Sequence, residues 1–508
     1  MVKRKIVIRV YLLLLCFSSL LHADHLIVAT FSEFEGALSA VVPGDTILVQ
    51  DGIYHNQSTW SLQVRTDHVT IKGLSGIREN VVIRGRGMHT DQHHGFWVDA
   101  DHVTIQDLTI QNVRNHCIQT HLDTDFLHVK NCVLRDAGEQ MLKVPGADMS
   151  GSPSDSGLVE DCLFEYSAGI GPRYYIGGID CHYARDWIVR RNVFRGIASP
   201  EETVAEHAVH FWSWSENTLC ENNLILNCDR GIGYGLSNSG HRNGIIRNNI
   251  IYHDETAGGG FADVSIEVFY SDNAAIYNNT IYQEHSNYFA GIKNWGGDNV
   301  SIINNVVNVS DKFYGHLKQA IWVTANGDGP VSHNYVSVPA AELFSSVEPP
   351  DANRVEEVVT FLHIREKNVE LVDAGTENIP GLPAPFYDFD GHVRPIGGAI
   401  DIGADEYEEC VEVGRRNSNK AMNFRLYQNY PNPFNSQTFL KFDLVSDARV
   451  ELKVYDALGR MVASLSNDIF PAGIHRIAWK TGQLPSGFYF LNMRTMNFEQ
   501  SVKACLLK

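Results

Sequence analysis

A short segment recurs nine times through the middle of this chain, and the spacing of the copies limits what the chain can fold into. It reads HVTIQDLTI at 102–110, FLHVKNCVL at 126–134, GLVEDCLF at 157–164, WIVRRNVF at 187–194 and TLCENNLI at 218–225. The run continues with GIIRNNII at 244–251, AAIYNNTI at 274–281, VSIINNVV at 300–307 and PVSHNYVS at 330–337. Each copy alternates apolar and polar residues, turns at an Asn or Asp, and resumes. The turning residues are Asp107, Asn131, Asp161, Asn192, Asn223, Asn249, Asn279, Asn305 and Asn334, spaced 24 to 31 residues apart. Alternation marks a strand with one face in a core. A period of roughly 20–50 residues marks a solenoid, and the lack of any sustained helical period excludes helical repeats.

A second strand recurs about a dozen residues before each copy: GFWVD (95–99), CIQTH (117–121), MLKVP (141–145), GIDCH (178–182), AVHFW (208–212), GIGYG (231–235), SIEVF (265–269), GIKNW (291–295) and AIWVT (320–324). Short strands returning in this way describe an all-β fold, a parallel β-helix, with coils stacked roughly 4.8 Å apart into a rod of roughly 45 Å. The shared Asn and Asp are expected at a bend, where left-handed backbone and stacked side-chain amides suit them. Cys132 and Cys162 occupy one place in two successive coils, which leaves open stacked buried thiols or a disulfide between coils.

Alternation leaves every second residue of a strand in solvent. Aligning the second strands gives one outward column of Trp97, Gln119, Lys143, Asp180, His210, Gly233, Glu267, Lys293 and Trp322. The column two residues on holds Asp99, His121, Pro145, His182, Trp212, Gly235, Phe269, Trp295 and Thr324. An ordinary solvent face would be Thr, Ser, Lys and Glu. This one mixes Lys, Asp, His and Trp, as a sugar-binding groove does: aromatic rings stack on sugar faces and charged groups hold hydroxyls and carboxylates. The widest spacings flank Lys143, Asp180 and His210, and their extra residues form loops at 147–155, 168–177 and 198–207. Those loops bring Arg173, Tyr174, Tyr175, Glu206 and His207, while Arg230 precedes the next strand. Long loops beside a polar column are how a scaffold builds a cleft. Each residue has a plain reading too: a surface lysine, a bonded histidine pair, a stabilising Asp–His pair, tryptophans packed under loops. Their convergence is what singles out the patch, and a register slip of one residue would invert it.

Phe34, Ala37 and Leu38 followed by VPGDTILVQDGIY (42–54) resemble the N-terminal cap and first coil of carbohydrate-active right-handed β-helix proteins, notably the polysaccharide lyase family of chondroitinase B and alginate lyases. DFDGHVRPIGGAIDIGADEY (388–407) resembles the closing segment of many secreted β-helix proteins. The resemblance implies a right-handed parallel β-helix over residues 24–407. It also implies action on a polysaccharide, most simply cleavage of an acidic, uronate-containing one by β-elimination. That reaction removes the C5 proton and expels the 4-linked sugar, so it needs a base, a cation on the carboxylate and an acid at the leaving oxygen. Lys143 is the expected base, Arg173 or Arg230 the cation, and His182 or His210 the acid. In the resembled lyases a Lys and an Arg do the acid–base work, often with calcium on the carboxylate; their motifs have no residue-by-residue match here, so these roles come from chemistry. A calcium site would draw on Asp180 and Glu206. Trp97, Gln119, His121, Tyr174, Tyr175, Glu206, His207, Trp212, Glu267, Lys293 and Trp295 are expected to bind substrate.

GGIDCHYARDWIVRRNVFRG (177–196) also resembles the strand of alginate C5-epimerases that carries an Asp-Pro-His-Asp motif. Asp180 and His182 match its first Asp and its His, whereas Cys181 and Tyr183 replace the other two. A glycoside hydrolase would need two carboxylates flanking the bond, and Asp180 with Glu206 is the evident pair. A non-catalytic polysaccharide-binding or adhesive rod is the remaining alternative.

The last part of the chain is different in kind. FRLYQNYPNPFNSQTFLKFDLVSDARVELKVYDALGRMVASL (424–465) and the strands GIHRIAWK (473–480), GFYFLNMRT (487–495) and SVKACLLK (501–508) argue a small β-sandwich after a polar linker at 408–423. The YPNPFN run, the VYDALGR and PAG turns and the PSGFYF strand resemble the type IX secretion C-terminal sorting domain, which implies the secretion machinery as a partner for 424–508 and a released or outer-membrane surface product. Residues 1–23 have the layout of a signal peptide: Lys3, Arg4, Lys5 and Arg9, an apolar run, then a small residue at Ala23. Losing those four basic residues takes the formal charge from −19 to −23. Such a chain lacks the broad basic face that loose nucleic-acid or anionic-membrane binding needs, and no later apolar run is long enough for a transmembrane segment.

Overall fold

The computed structural model describes residues 24–506 except 57–60, 92, 147–150, 201–202, 255–261, 286–287, 310–318, 338–342, 345–350, 353–354, 365–367, 369, 408–424, 427–428, 430–433, 435–436, 445–447, 457–459, 471–472, 483, 486 and 496–498. The expected signal peptide and linker therefore lie outside the described residues, as do parts of the 147–155 and 198–207 loops and most of the YPNPFN run. The chain forms two compact units, Met1–Glu409 and Cys410–Lys508.

The first unit is a parallel β-helix. Its strands stack coil on coil into sheets of twelve, eleven and ten strands, with a fourth sheet of five two-residue strands, and within each sheet every strand pairs in parallel with its counterpart in the next coil. A helix, Phe31–Ala40, closes the first coil. Thr30 and Glu33 form a reciprocal capping box at its start, and Phe34, Ala37 and Leu38 turn inward. Phe34 meets the edges of Tyr54 and Phe96 at 6.3 and 6.0 Å, sealing the apolar interior.

That interior is built of ladders. In the ten-stranded sheet Ile118, Leu142, Ile179, Val209, Ile232, Ile266 and Ile292 pair in one line, all without solvent exposure. Each such side chain contributes about 1.5–3 kcal/mol by burial. A solenoid adds this stabilisation coil by coil, so no enlarged central core is required.

The repeated Asn position proves to be two positions. Asp107, Asn131 and Asp161 do take the left-handed backbone expected of them, at φ 59, 45 and 59°. In later coils that conformation falls one residue earlier, on Arg191, Asn222, Asn248, Asn278, Asn304 and His333. Asn192, Asn223, Asn249, Asn279, Asn305 and Asn334 instead form an amide ladder in the interior. Each successive side-chain oxygen accepts both the backbone N–H and the side-chain Nδ2 of the Asn one coil before, at 2.9–3.1 Å. Cys162 occupies the same rung, since its backbone N–H donates to Asn192 Oδ1 at 2.9 Å. The sequence alignment slipped because the turn tolerates Asn both in the left-handed place and in the ladder place beside it. Cys132 and Cys162 are buried free thiols at the head of this ladder, with the Cys132 backbone N–H 3.4 Å from Cys162 Sγ.

The left-handed Asn residues have a task of their own. Asn222 donates to the carbonyls of Asp388 and Phe389, Asn248 to that of Tyr387, Asn278 to those of Asp401 and Gly403, and Asn304 to that of Thr376. They form a rail on which the closing segment lies. The last coil strand is Tyr335–Ser337. The residues after it include a short helix, Val355–Phe361, whose Val358 and Phe361 share an apolar cluster with Leu226, Tyr252 and Tyr282 of the coils. Arg394, fully buried, binds Glu406 at 2.5 Å and locks the closing segment.

The second unit consists of a three-stranded and a four-stranded antiparallel sheet. Leu440, Phe442 and Leu444 of one sheet and Val450, Leu452, Val454, Leu491 and Met493 of the other share one apolar core with Trp479 and Phe434. Among the described residues, no helix is long and apolar enough to cross a membrane.

Candidate functional site

The ten-stranded sheet carries the candidate site. Its register pairs Trp97 with Gln119, Gln119 with Lys143, Lys143 with Asp180, Asp180 with His210, His210 with Gly233, Gly233 with Glu267, Glu267 with Lys293, and Lys293 with Trp322. One row of side chains therefore runs along the rod, a coil apart at each step. His182 pairs with Trp212 and Phe269 with Trp295 in the row beside it. The row faces away from the apolar ladders, yet Asp180 and His210 are only 5% and 2% exposed. An outward strand residue is buried only when other groups cover it. Here Trp212, His182, His207 and Glu206 do so.

Three clusters divide the row. In the first, Lys143 Nζ touches Asp180 Oδ2 and lies 2.7 Å from His182 Nε2. Trp212 Nε1 donates to Asp180 Oδ1 at 2.8 Å, and His182 Nε2 is 3.3 Å from Asp180 Oδ2. Burial alone would raise the Asp180 carboxyl, but the His182 hydrogen bond and the Lys143 charge outweigh it and hold the group well below the ordinary carboxylate range. His182 Nε2 faces the Lys143 donor and the Asp180 acceptor at once, so it accepts from the ammonium as a neutral ring and donates to the carboxylate once protonated. Trp212 roofs the cluster, its ring 4.1 Å from His182 and stacked 5.7 Å from His210.

The second cluster is Glu206, His207 and His210, each offering a donor atom within 4.8 Å of the others. Burial and the neighbouring His207 push His210 down to about 4. Burial lowers His207 as well. Both rings are therefore neutral near pH 7. His210 Nε2 is 3.2 Å from the Gly235 carbonyl, and its Nδ1 is 3.9 Å from Glu206 Oε2. His207 lies over Gly233, where a Cβ would stand 2.6 Å from the ring. The row's missing side chain is thus replaced by an imidazole from the preceding loop.

The third cluster closes the row. Lys293 Nζ binds Glu267 Oε1 at 2.6 Å, inside a box of Trp295, Phe289 and Trp322 rings at 4.8, 4.9 and 5.6 Å. Burial would raise Glu267, but His207, with Nε2 3.7 Å from its carboxylate, and the Lys293 charge bring it down to about 2.

The remaining expected residues lie around these. Trp97 meets His94 at 5.5 Å and His121 at 6.2 Å, and His121 Nδ1 is 3.6 Å from Asp99. Gln119 stands between Trp97 and Lys143 in the row. Tyr174 and Tyr175 are exposed on their loop. Arg173 is held by the Gly138 carbonyl at 2.9 Å and Glu139 at 2.7 Å, and Arg230 by Asp263 at 2.6 Å. Neither arginine was paired with a carboxylate in the sequence reading. Glu139, Asp263, Phe289 and His116 were overlooked, the last with its Nδ1 2.6 Å from the Gln140 carbonyl. The signal that could have found the His207 placement is the lone glycine in a row of large side chains, with a histidine on the adjoining loop.

The expected calcium pair does not fit. Calcium takes about six to eight oxygen ligands. Both Asp180 oxygens are already engaged by Lys143, His182 and Trp212, and Glu206 stands with two imidazoles. Two further groups of possible ligands, His363–Asp390–Asp405 and Asp388–His392–Asp405, lie in the closing segment.

Residues 428–507 match the family model described as the secretion system C-terminal sorting domain. The protein is therefore secreted or displayed at the cell surface, and the module implies secretion machinery as its partner. No curated protein matches the sequence. Among solved structures, an alginate lyase from Paenibacillus sp. aligns at 14% identity and TM-score 0.36, over 62% of this chain and 97% of that one. A PL6 family polysaccharide lyase from Pseudopedobacter saltans aligns at 14% and 0.37, over 62% and 84%. The pectate lyase Pel9A aligns at 13% and 0.37, over 76% and 97%. Likeness at this level identifies no reaction, and the chemistry is argued from the site itself.

Proposed function

We propose that the protein is a secreted carbohydrate-active enzyme that takes the C5 proton from a uronate unit of an acidic polysaccharide and completes a β-elimination. The observation that carries this reading is the joined contact of Lys143, Asp180 and His182 under Trp212. The geometry favours exchanging the roles expected from sequence. His182 Nε2 accepts, so it is the base for the C5 proton. Lys143 donates, so it is the acid for the leaving O4. The C5–H electron pair becomes the C4=C5 double bond as the C4–O4 bond breaks, and the 2.7 Å contact lets His182 return its proton to Lys143 after turnover. Arg173, part-exposed beside Tyr174 and Tyr175, is the cation proposed for the substrate carboxylate, with the two rings as a sugar platform. Arg230, more enclosed and bound to Asp263, is proposed to shape the charge around the site.

The hydrolase alternative is less well supported. It needs one protonated and one free ionised carboxyl; Asp180 is held ionised, and both of its oxygens are already engaged by Lys143, His182 and Trp212. C5 epimerisation uses the same proton abstraction and differs in returning a proton without breaking C4–O4. The test is digestion of alginate, pectate and glycosaminoglycans by the full-length protein. New ultraviolet absorbance from an unsaturated uronate is the expected result. Altered uronate stereochemistry without chain cleavage would mean an epimerase, new reducing ends without the absorbance a hydrolase, and binding alone would overturn the catalytic reading.

A further inference from the structure

We infer that Glu206, His207 and His210 form a binding site for one first-row transition-metal ion of the zinc type, distinct in chemistry from a calcium site. The first reason is the donor set. Two imidazole nitrogens and one carboxylate suit zinc, cobalt or nickel, whereas calcium and magnesium select oxygen. The three donor atoms lie within 4.8 Å of one another. Two donors bound to one ion at roughly 2.1 Å stand about 3.4 Å apart at a tetrahedral angle, so small side-chain rotations close the set.

The second reason is independent of the first. His207 is 3% exposed, and neither ring nitrogen makes a hydrogen bond. Burying an imidazole whose nitrogens make no hydrogen bond is unfavourable, and a ligand would remove that cost. Its nearest charged group is Glu267, at 3.7 Å from Nε2.

The third reason is orientation. The Gly235 carbonyl can only accept, so His210 Nε2 carries the proton and Nδ1 is bare. That bare nitrogen faces another acceptor, Glu206 Oε2, at 3.9 Å. Two acceptors confronting one another with no proton between them call for a cation. A histidine that donates one nitrogen to a carbonyl and presents the other is also how metal-binding imidazoles are held. Gly233 leaves the room His207 needs. Along the row, the carboxylates of Asp180 and Glu267 stand on either side of the histidine pair, each with its own lysine.

This inference does not rest on the elimination proposed above, and its readout is binding rather than activity. The full-length chain, purified without a polyhistidine tag, is stripped with chelator and titrated with Zn²⁺, Co²⁺ and Ca²⁺ by calorimetry. Absorption spectra are recorded for Co²⁺. The expected result is one Zn²⁺ or Co²⁺ per chain, a visible Co²⁺ band showing nitrogen ligation, and no competition from Ca²⁺. His207→Ala should abolish binding. Glu206→Gln, at a part-exposed side chain, keeps the fold secure and should weaken binding at least as much as the roughly 10–100-fold lost when an outer-shell partner is removed. Gly233→Ala should weaken it as well, by displacing His207 while leaving every ligand in place. His363→Ala should change nothing. Failure of the wild-type chain to bind, binding that survives Glu206→Gln and His207→Ala, or a preference for Ca²⁺ would overturn the assignment.

Discussion

Two lines of polar side chains run along the same solenoid, and they are built on opposite principles. In the interior ladder one residue type recurs from Asn192 to Asn334, and each amide repeats the bonds of the one before. On the ten-stranded sheet each coil contributes a residue type different from its neighbours': Lys143, Asp180, His210, Gly233, Glu267, Lys293. Repetition satisfies every buried donor and acceptor, as stability requires. Variety leaves ion pairs under cover and an imidazole without a hydrogen bond, which a fold with no further purpose for the row would have no reason to keep. A solenoid thus separates what holds it together from what it presents.

The sharpest way to break that comparison is Lys143→Arg. The guanidinium keeps the ion pair with Asp180 but is a far poorer proton donor. Activity should fall roughly a thousandfold, while the urea midpoint stays close to wild type. Equal loss of both would make Lys143 a structural residue. The converse substitution is Asn249→Ala. It removes an acceptor for Asn223 and a donor to Cys220, Arg247 and Asn279. At about 1 kcal/mol for each of the five lost bonds, the cost is about 5 kcal/mol, read as a lower urea midpoint with turnover per folded molecule unchanged. An undiminished midpoint would show the ladder to be ornamental.

Acid separates amides from imidazoles. Burial depresses His116 and His253 to about 4 and His241 to about 3, from an ordinary value of 6.5. The unfolded chain takes up these protons first, so stability is complete above about pH 6.5 and declines as pH falls toward 3 to 4. Each histidine contributes on the order of 3 kcal/mol to that decline. Thermal midpoints measured from pH 7 to pH 4 should drop steadily; a flat profile would mean that these rings are wetter than the structure has them.

Much of this was legible in the sequence, because a solenoid writes its register as a repeat. The nine copies gave the sheets, and the pairing of Lys143 with Asp180 and of Asp180 with His210 follows directly from aligning them. Two things were not legible. The ladder and the left-handed position are adjacent and both accept Asn, so alignment by residue type slid from Asp161 to Asn192 when the backbone equivalent was Arg191. Loops are not periodic, so nothing in the repeat told that Arg173 would bind Glu139, Arg230 would bind Asp263, or His207 would fill the space above Gly233. The column was readable and its cover was not.

The one-coil step of the row sets a rule for altering the rod's length. A coil inserted beyond Trp322 would lengthen the rod and leave every site atom where it is. The same coil inserted between Val144 and Gly177 would carry Lys143 one stacking distance, roughly 4.8 Å, from Asp180 and His182. The rod would still close its ladders, yet the contact on which the proposed proton transfer depends would be gone. Length is therefore freely adjustable only outside the stretch from Gln140 to Trp322, and that stretch acts as a measured template within an otherwise extensible scaffold.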